Sequence, residues 1–356
     1  MILLGSTGSI GVNALNIARR FNLRVETLVA GKNIKLLNEQ IKEFKPKIVV
    51  VADKEIAKEI RHNRVLFGEE AILEAINLSE SELVVNSLVG FLGLKPTIEA
   101  IKLNKKVALA NKESLVVAGK FIDMSRIQPI DSEHFGLWYL MQDKPINKLI
   151  ITASGGAFRD TPINELKNVS VKEALNHPNW SMGKKITIDS ATMVNKLFEI
   201  IEAKWLFNIN KIDAYIEKNS IIHSMIKFKD GSTTAHFANT DMKLPIAYAI
   251  LNQVEDEILK PLDLMNLKPL QFDEIKIDKY PAWELKDKFL NNPDLGVVIN
   301  ASNEIAVEKF LNEEIKFLDI SKIILSAVEK FKDITPKSIE DIYKIDKEVR
   351  EWCLNK

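Results

Sequence analysis

The chain has 356 residues, 46% of them hydrophobic, and its 49 basic side chains are matched by 49 acidic ones. That length predicts two or three domains with a sizeable core, and the balanced charge excludes a global attraction for nucleic acid. One cysteine, Cys353, rules out an intrachain disulfide framework. With no leader pattern and no apolar stretch of about eighteen residues, no membrane span is expected and the cytoplasm is the expected location.

Residues 1–128 read as a dinucleotide-binding domain. The apolar run Met1–Leu4 passes into Gly5-Ser6-Thr7-Gly8-Ser9-Ile10-Gly11 and then into the helical pattern Val12–Arg20. Strand, glycine turn and helix together suit a pyrophosphate, because the glycines admit close backbone approach and the helix start offers free amides. The spacing is G-x-x-G-x-x-G, and an ordinary strand-to-helix turn is the other reading. A second strand, Arg24–Ala30, leads to Gly31-Lys32-Asn33 with no acid beside Lys32. A cation there suits the extra phosphate of NADP; a solvated lysine is the alternative. Strands over Lys47–Ala52, Leu83–Ser87 and Lys106–Ala110 alternate with helices over Ala71–Asn77 and Pro96–Leu103, which predicts a doubly wound parallel sheet. Asn111, Lys112 and Glu113 then lie just after a strand, at the ligand-binding edge of such a sheet, with a capped loop as the equal alternative.

Residues 129–251 read as a central α/β catalytic domain. If Pro129–His134 is extended, Asp131 and Glu133 share a face. Paired carboxylates call for a positive partner, and all-oxygen donors favour Mg²⁺ or Mn²⁺, although a solvated acidic loop is the commoner fate of such a run. The strand Leu149–Ala153 ends in Ser154-Gly155-Gly156, a small-residue turn suited to holding phosphate or carbonyl oxygens. His177-Pro178-Asn179-Trp180-Ser181-Met182-Gly183 carries large side chains in a loop, either as a lid over substrate or as a connector whose tryptophan docks in the core. Ile188–Glu202 predicts one helix with Asp189 or Ser190 as N-cap. Its spacing brings Asn195, Lys196 and Glu199 onto neighbouring surface beside the Ser190 hydroxyl; an exposed Lys–Glu pair on an amphipathic helix is the plainer reading. Residues 252–279 lack a sustained period and read as a linker. Residues 280–356 read as a C-terminal helical bundle with helices over Asn303–Leu311, Ile320–Lys332 and Ser338–Cys353.

Seven motifs occur in one order: G-S-T-G-S-I-G, A-N-K-E-S, D-S-E-H, S-G-G-A-F-R, H-P-N-W-S-M-G, D-S-A-T-M-V-N-K and N-S-I-I-H-S-M. Over nearly the whole chain this set resembles the 1-deoxy-D-xylulose-5-phosphate reductoisomerase family of the non-mevalonate isoprenoid pathway. The resemblance implies a homodimer that uses NADPH and Mg²⁺, Mn²⁺ or Co²⁺ to isomerise and reduce a phosphorylated sugar. It implies NADPH contacts at Thr7, Gly8, Ser9, Ile10, Gly31, Lys32, Asn33, Asn111, Glu113 and Gly183, and metal ligands at Asp131, Glu133 and Glu199. It implies a substrate site at Lys112, Ser132, Glu133, Ser154, His177, Ser190, Asn195, Lys196 and Glu199, with Ser154, Ser190, Asn195 and Lys196 on the phosphate. Lys112, Asp131, Glu133, His177 and Glu199 are the implied catalytic set, with Trp180 and Met182 in the lid. Leu197-Phe198 stands where the family has Gly-Leu, and Lys243 where arginine is common. Asn300-Ala301-Ser302-Asn303-Glu304 also resembles a family motif, without evident chemistry. A metal-assisted hydroxy-acid dehydrogenase has no need of the phosphate cluster, and an idle NADP-binding regulator has no need of the full carboxylate set.

Overall fold

Strands form where Val, Ile and Leu run together, because branched side chains suit a pleated sheet covered on both faces. The computed structural model describes residues 1–356. In it these runs become β1 (Ile2–Leu4), β2 (Thr27–Val29), β3 (Ile48–Val51), β4 (Val65–Phe67), β5 (Leu83–Asn86), β6 (Lys106–Leu109) and β7 (Ile127–Pro129). They pair in parallel in the order β4-β3-β2-β1-β5-β6-β7. The chain winds from β1 out to β4 and returns to β5 on the other side of β1. The order therefore reverses between β1 and β5, as the doubly wound reading requires.

A second sheet holds β8 (Ile146–Ala153), β9 (Ile212–Ile216), β10 (Ile222–Phe228) and β11 (Thr233–Phe237) in the order β11-β10-β8-β9. Its β8–β9 pair is parallel and the others antiparallel. The helices are α1 (Ser9–Arg20), α2 (Ile34–Phe44), α3 (Lys54–Ala57), α4 (Glu69–Leu78), α5 (Leu94–Lys102), α6 (Glu113–Ala118), α7 (Ser132–Leu140), α8 (Val171–Ala174), α9 (Lys184–Thr192), α10 (Val194–Phe207), α11 (Lys243–Leu251), α12 (Lys286–Asn291), α13 (Gly296–Leu311), α14 (Phe317–Lys330) and α15 (Ile339–Leu354). None is long and apolar enough to cross a membrane.

The chain divides into two compact units. The first comprises Met1–Ser114, Ile122–Asp131 and Asp241–Lys260; the second comprises Leu115–Phe121, Ser132–Thr240 and Pro261–Lys356. The first unit's core packs Leu3, Leu28 and Val49 of the sheet with Ala14, Leu15 and Ile17 of α1. Helix α11 joins that core through Ile246, Ala247 and Ala249, so it does not group with the central segment 129–251 as its sequence position suggested. The segment 252–279 is likewise shared, its first nine residues lying in the first unit and the rest in the second. In the second unit α13 contacts α14 and α15, with Phe317 set edge-on to Phe158 at 4.9 Å and to Phe310 at 5.8 Å. The C-terminal helices thus belong to the same unit as the second sheet rather than standing apart.

Two local expectations are corrected. Pro129–His134 is not extended: β7 stops at Pro129, and Ser132 and Glu133 open α7. An acid in a first helical turn suits the positive end of the helix dipole. Nor is Ile188–Glu202 one helix. Helix α9 is N-capped by Gly183 and ends at Thr192; Met193 turns left-handed with φ 67°, and α10 starts at Val194. The Thr192 hydroxyl bonds back to the Ile188 carbonyl at 3.1 Å and the Met193 amide donates to Ser190 O, which together close the first helix. Asp189 and Ser190 therefore lie in its last turn and are not N-caps.

Candidate active site

In the first unit the glycine turn is dictated by space. Gly5 has φ +86°, and a Cβ there would lie 2.7 Å from Ser87 O; a Cβ on Gly11 would lie 2.2 Å from Gly5 O. The chain can therefore fold back from β1 into α1 only with glycine at these points. Gly8 caps α1 without a side-chain hydrogen bond, so no side chain competes for the first-turn amides beside Thr7, Ser9 and Ile10. Gly31, Lys32 and Asn33 are exposed just beyond β2, and the Asn33 side chain caps α2 by accepting from Leu36 N. Exposed amides and a lysine with no adjoining acid suit an anionic dinucleotide with an added phosphate.

Asn111 is buried and acts as a brace. Its Nδ2 donates to Leu88 O, Gly90 O and Glu113 Oε2, while its Oδ1 accepts from the Ser114 hydroxyl. Lys112 and Asp131, both buried, form an ion pair of 2.8 Å.

In the second unit Glu133 comes from the first turn of α7 and Glu199 from α10. A carboxylate oxygen of each lies within 4.8 Å of the other. Glu199 is 1% exposed and accepts from Asn195 Nδ2 and Lys196 Nζ, the partners its helical spacing predicted. Lys196 Nζ also stands 3.7 Å from Glu133 Oε2, and His223 Nδ1 lies 3.5 Å from Glu133 Oε1. Ser132 Oγ donates to Glu133 Oε1 at 3.1 Å. Two acids this close and this buried require positive charge between them, and carboxylate oxygens are the donors a hard divalent cation takes. His134 meets Glu199 O through Nε2 at 2.9 Å, tying α7 to α10.

A separate group gathers at the end of β8. His177 Nδ1 lies 3.1 Å from Asn179 N and 2.9 Å from Trp180 N, and accepts from both. The neutral ring must then carry its proton on Nε2, which faces Ser154 Oγ at 2.9 Å and Ser190 Oγ at 3.2 Å. Burial, with a smaller contribution from the Arg159 cation, pushes this imidazole down to about 4 from 6.5, so it stays neutral. Ser154 Oγ also accepts from Gly156 N at 3.2 Å. With both acceptor sites engaged, its own proton is left to be donated, which is what an anionic oxygen needs.

The four residues assigned to phosphate are thus held in two pairs, Ser154 and Ser190 on His177, and Asn195 and Lys196 on Glu199. Trp180 is half-buried with its ring 6.2 Å from that of His223; Met182 is half-buried and Gly183 opens α9. Leu197 and Phe198, the departures from the family pattern, are buried and leave Glu199 in place. Lys243 pairs with Asp241 at 3.1 Å. Sequence reasoning missed Arg159, whose Nη1 donates to Ser154 O, Asn179 Oδ1 and Lys218 O, and also the bracing role of Asn179, which donates to Lys218 O and Ser220 Oγ. Both stand inside motifs already singled out, but only long-range contacts reveal what they brace.

Three family models match the chain: 1-deoxy-D-xylulose 5-phosphate reductoisomerase over residues 1–119, the C-terminal domain of that enzyme over residues 127–207, and the DXP reductoisomerase C-terminal domain over residues 237–352. Proteins named 1-deoxy-D-xylulose 5-phosphate reductoisomerase are similar to it over nearly their whole length. The one from Nautilia profundicola is 59% identical, with 99% of each chain covered, and the one from Wolinella succinogenes is 56% identical at the same coverage. Among solved structures, DOX-P reductoisomerase in complex with NADPH, fosmidomycin and magnesium superposes with a TM-score of 0.93 at 34% identity, covering 99% of this chain and 97% of that one. The reductoisomerase from Zymomonas mobilis in complex with NADPH gives 0.89 at 34% identity and the same coverage.

Proposed function

This chain belongs to the 1-deoxy-D-xylulose 5-phosphate reductoisomerase family, and from that membership we infer how its residues divide the work. The enzyme isomerises and reduces 1-deoxy-D-xylulose 5-phosphate to 2-C-methyl-D-erythritol 4-phosphate, using NADPH and a divalent cation, in non-mevalonate isoprenoid precursor biosynthesis. When bound, the cation supplies Lewis acidity to substrate oxygens and NADPH supplies the hydride.

We assign Asp131, Glu133 and Glu199 as holders of that cation, Mg²⁺ or Mn²⁺. Asp131 stands two residues before Glu133 in the chain and completes an all-oxygen set. Thr7, Gly8, Ser9, Ile10, Gly31, Lys32, Asn33, Asn111, Glu113 and Gly183 serve NADPH. Lys32 answers the extra phosphate, and the Gly8 end of α1 answers the pyrophosphate. Ser154 and Ser190 donate to the substrate phosphate, with His177 Nε2–H holding both hydroxyl oxygens. Asn195 and Lys196 join them from the first turn of α10. Lys112 and Ser132 line the reacting end, where Lys112 balances the charge of Asp131. Trp180 and Met182 ride on the lid and exclude water from the bound substrate.

The observation that carries the metal assignment is the approach of the Glu133 and Glu199 carboxylates on α7 and α10. Its test is Mn²⁺ binding followed by electron paramagnetic resonance. The unaltered chain should take up Mn²⁺ stoichiometrically, and Glu199→Gln should lose that uptake; equal uptake by both would remove Glu199 from the ligand set.

We further propose a cytoplasmic homodimer. The cysteine-poor composition fits a reducing compartment. The edge strand β11, with Phe237, Trp138 and Tyr139 exposed in the same unit, supplies the apolar surface a second copy would cover.

A further inference from the structure

We propose that Asn303 is a positioning residue for the substrate phosphate, acting through Asp189. The inference rests on the reading that the Ser154 and Ser190 hydroxyls receive that phosphate. Asn303 lies in the run Asn300–Glu304, to which no chemistry has been assigned, on a helix whose buried face is mostly apolar but also holds Asn300 and Ser302. It is fully buried. Its Nδ2 donates to Asp189 Oδ1 at 2.8 Å, whereas its Oδ1 meets no donor. A leucine would fill similar space without an orphaned oxygen, so the bond to Asp189 is what this amide contributes.

Asp189 is itself buried and also accepts from Lys185 Nζ at 2.7 Å through Oδ2. Lys185 sits one turn back on α9 and moves with it. Asn303 belongs to α13, which is fastened to α15 by Glu304–Arg350 at 2.6 Å, the guanidinium being held within α15 by Asp346 at 2.7 Å. The amide therefore ties the last turn of α9 to the C-terminal helices. That turn carries Ser190, and after the left-handed Met193 it leads directly into Asn195 and Lys196. The other end of α9 emerges from the lid segment at Gly183, whose cap makes no side-chain bond. Asn303 thus holds the phosphate end of α9 in place while the lid end changes.

The test compares the full-length enzyme with Asn303→Leu in steady-state kinetics, with inorganic phosphate as competing anion and NADPH affinity measured by fluorescence. Losing one hydrogen bond to a charged group predicts that substrate KM and phosphate Ki rise together by about tenfold. NADPH affinity should stay constant and kcat should change less. If Asn303→Leu does not fold, Asn303→Ala removes the same amide donor while leaving the Lys185–Asp189 pair in place, and should give the same paired rise. An unchanged KM and Ki in a folded variant, with or without a lower Tm, would overturn the proposal. If the unaltered enzyme is indifferent to phosphate, the phosphate reading of the serine cluster falls first. If it is sensitive and the variant equally so, only the role of Asn303 falls.

Discussion

His177 owes its role to what it accepts. Two backbone amides of the following turn, from Asn179 and Trp180, occupy Nδ1 and so fix the proton on Nε2. Long-range ¹H–¹⁵N correlation should show the Nε2–H tautomer persisting from neutral pH down to about 5; a ring that titrates near 6.5 or carries Nδ1–H would contradict the assignment. The linked effect on stability has a definite sign. In the unfolded chain the ring takes up its proton around 6.5, in the fold only near 4. Its contribution is therefore fully present above 6.5 and is lost as pH falls toward 4, and replacing His177 by Gln should flatten that part of the pH–stability curve. At Glu199 the expectation concerns catalysis. Glu199→Gln should lower turnover at least about 100-fold while leaving NADPH affinity intact, as read by NADPH oxidation beside NADPH fluorescence titration.

At the scale of elements, the decisive feature is the corner between α9 and α10. Gly156 has φ +71°, and a Cβ there would lie 2.6 Å from Ala191 Cα and from Ser190 O. The turn after β8 and the end of α9 can approach this closely only because that residue is glycine. Gly156→Ala should cost about 1–3 kcal/mol of stability and separate Ser154 from Ser190, raising substrate KM; thermal denaturation and kinetics on the same sample check both. The corner also shows what a sequence carries and what it withholds. The i, i+4 and i, i+3 spacings that bring Asn195 and Lys196 to Glu199 are helical geometry and were legible. The glycine turn after β1 and the alternation of strands and helices were legible for the same local reason. The break at Met193 was not, since no glycine or proline marks the left-handed residue, and the contacts that Gly156 and Asn303 make with the last turn of α9 come from distant parts of the chain. The first turn of α7 was misread as extended because D-S-E fits a strand and a helix start equally well. The bracing by Arg159 and Asn179, and the packing of α11 with α1, depend on tertiary contacts that no local pattern encodes.

At the scale of the whole molecule, one chain supplies a dinucleotide-binding sheet and a unit rich in buried acids and hydroxyl donors. A homodimer predicts that sedimentation equilibrium returns twice the mass of the 40.3 kDa chain, and a single-chain mass at micromolar concentration would contradict it. The family reaction also requires metal and reductant together, so a chelator should stop turnover without releasing NADPH. The most direct measurement is NADPH oxidation with 1-deoxy-D-xylulose 5-phosphate after chelation, with and without added Mg²⁺ or Mn²⁺. Oxidation that appears only with the cation and yields 2-C-methyl-D-erythritol 4-phosphate is the predicted result. A folded enzyme that binds NADPH and cation yet leaves this substrate unchanged would contradict it.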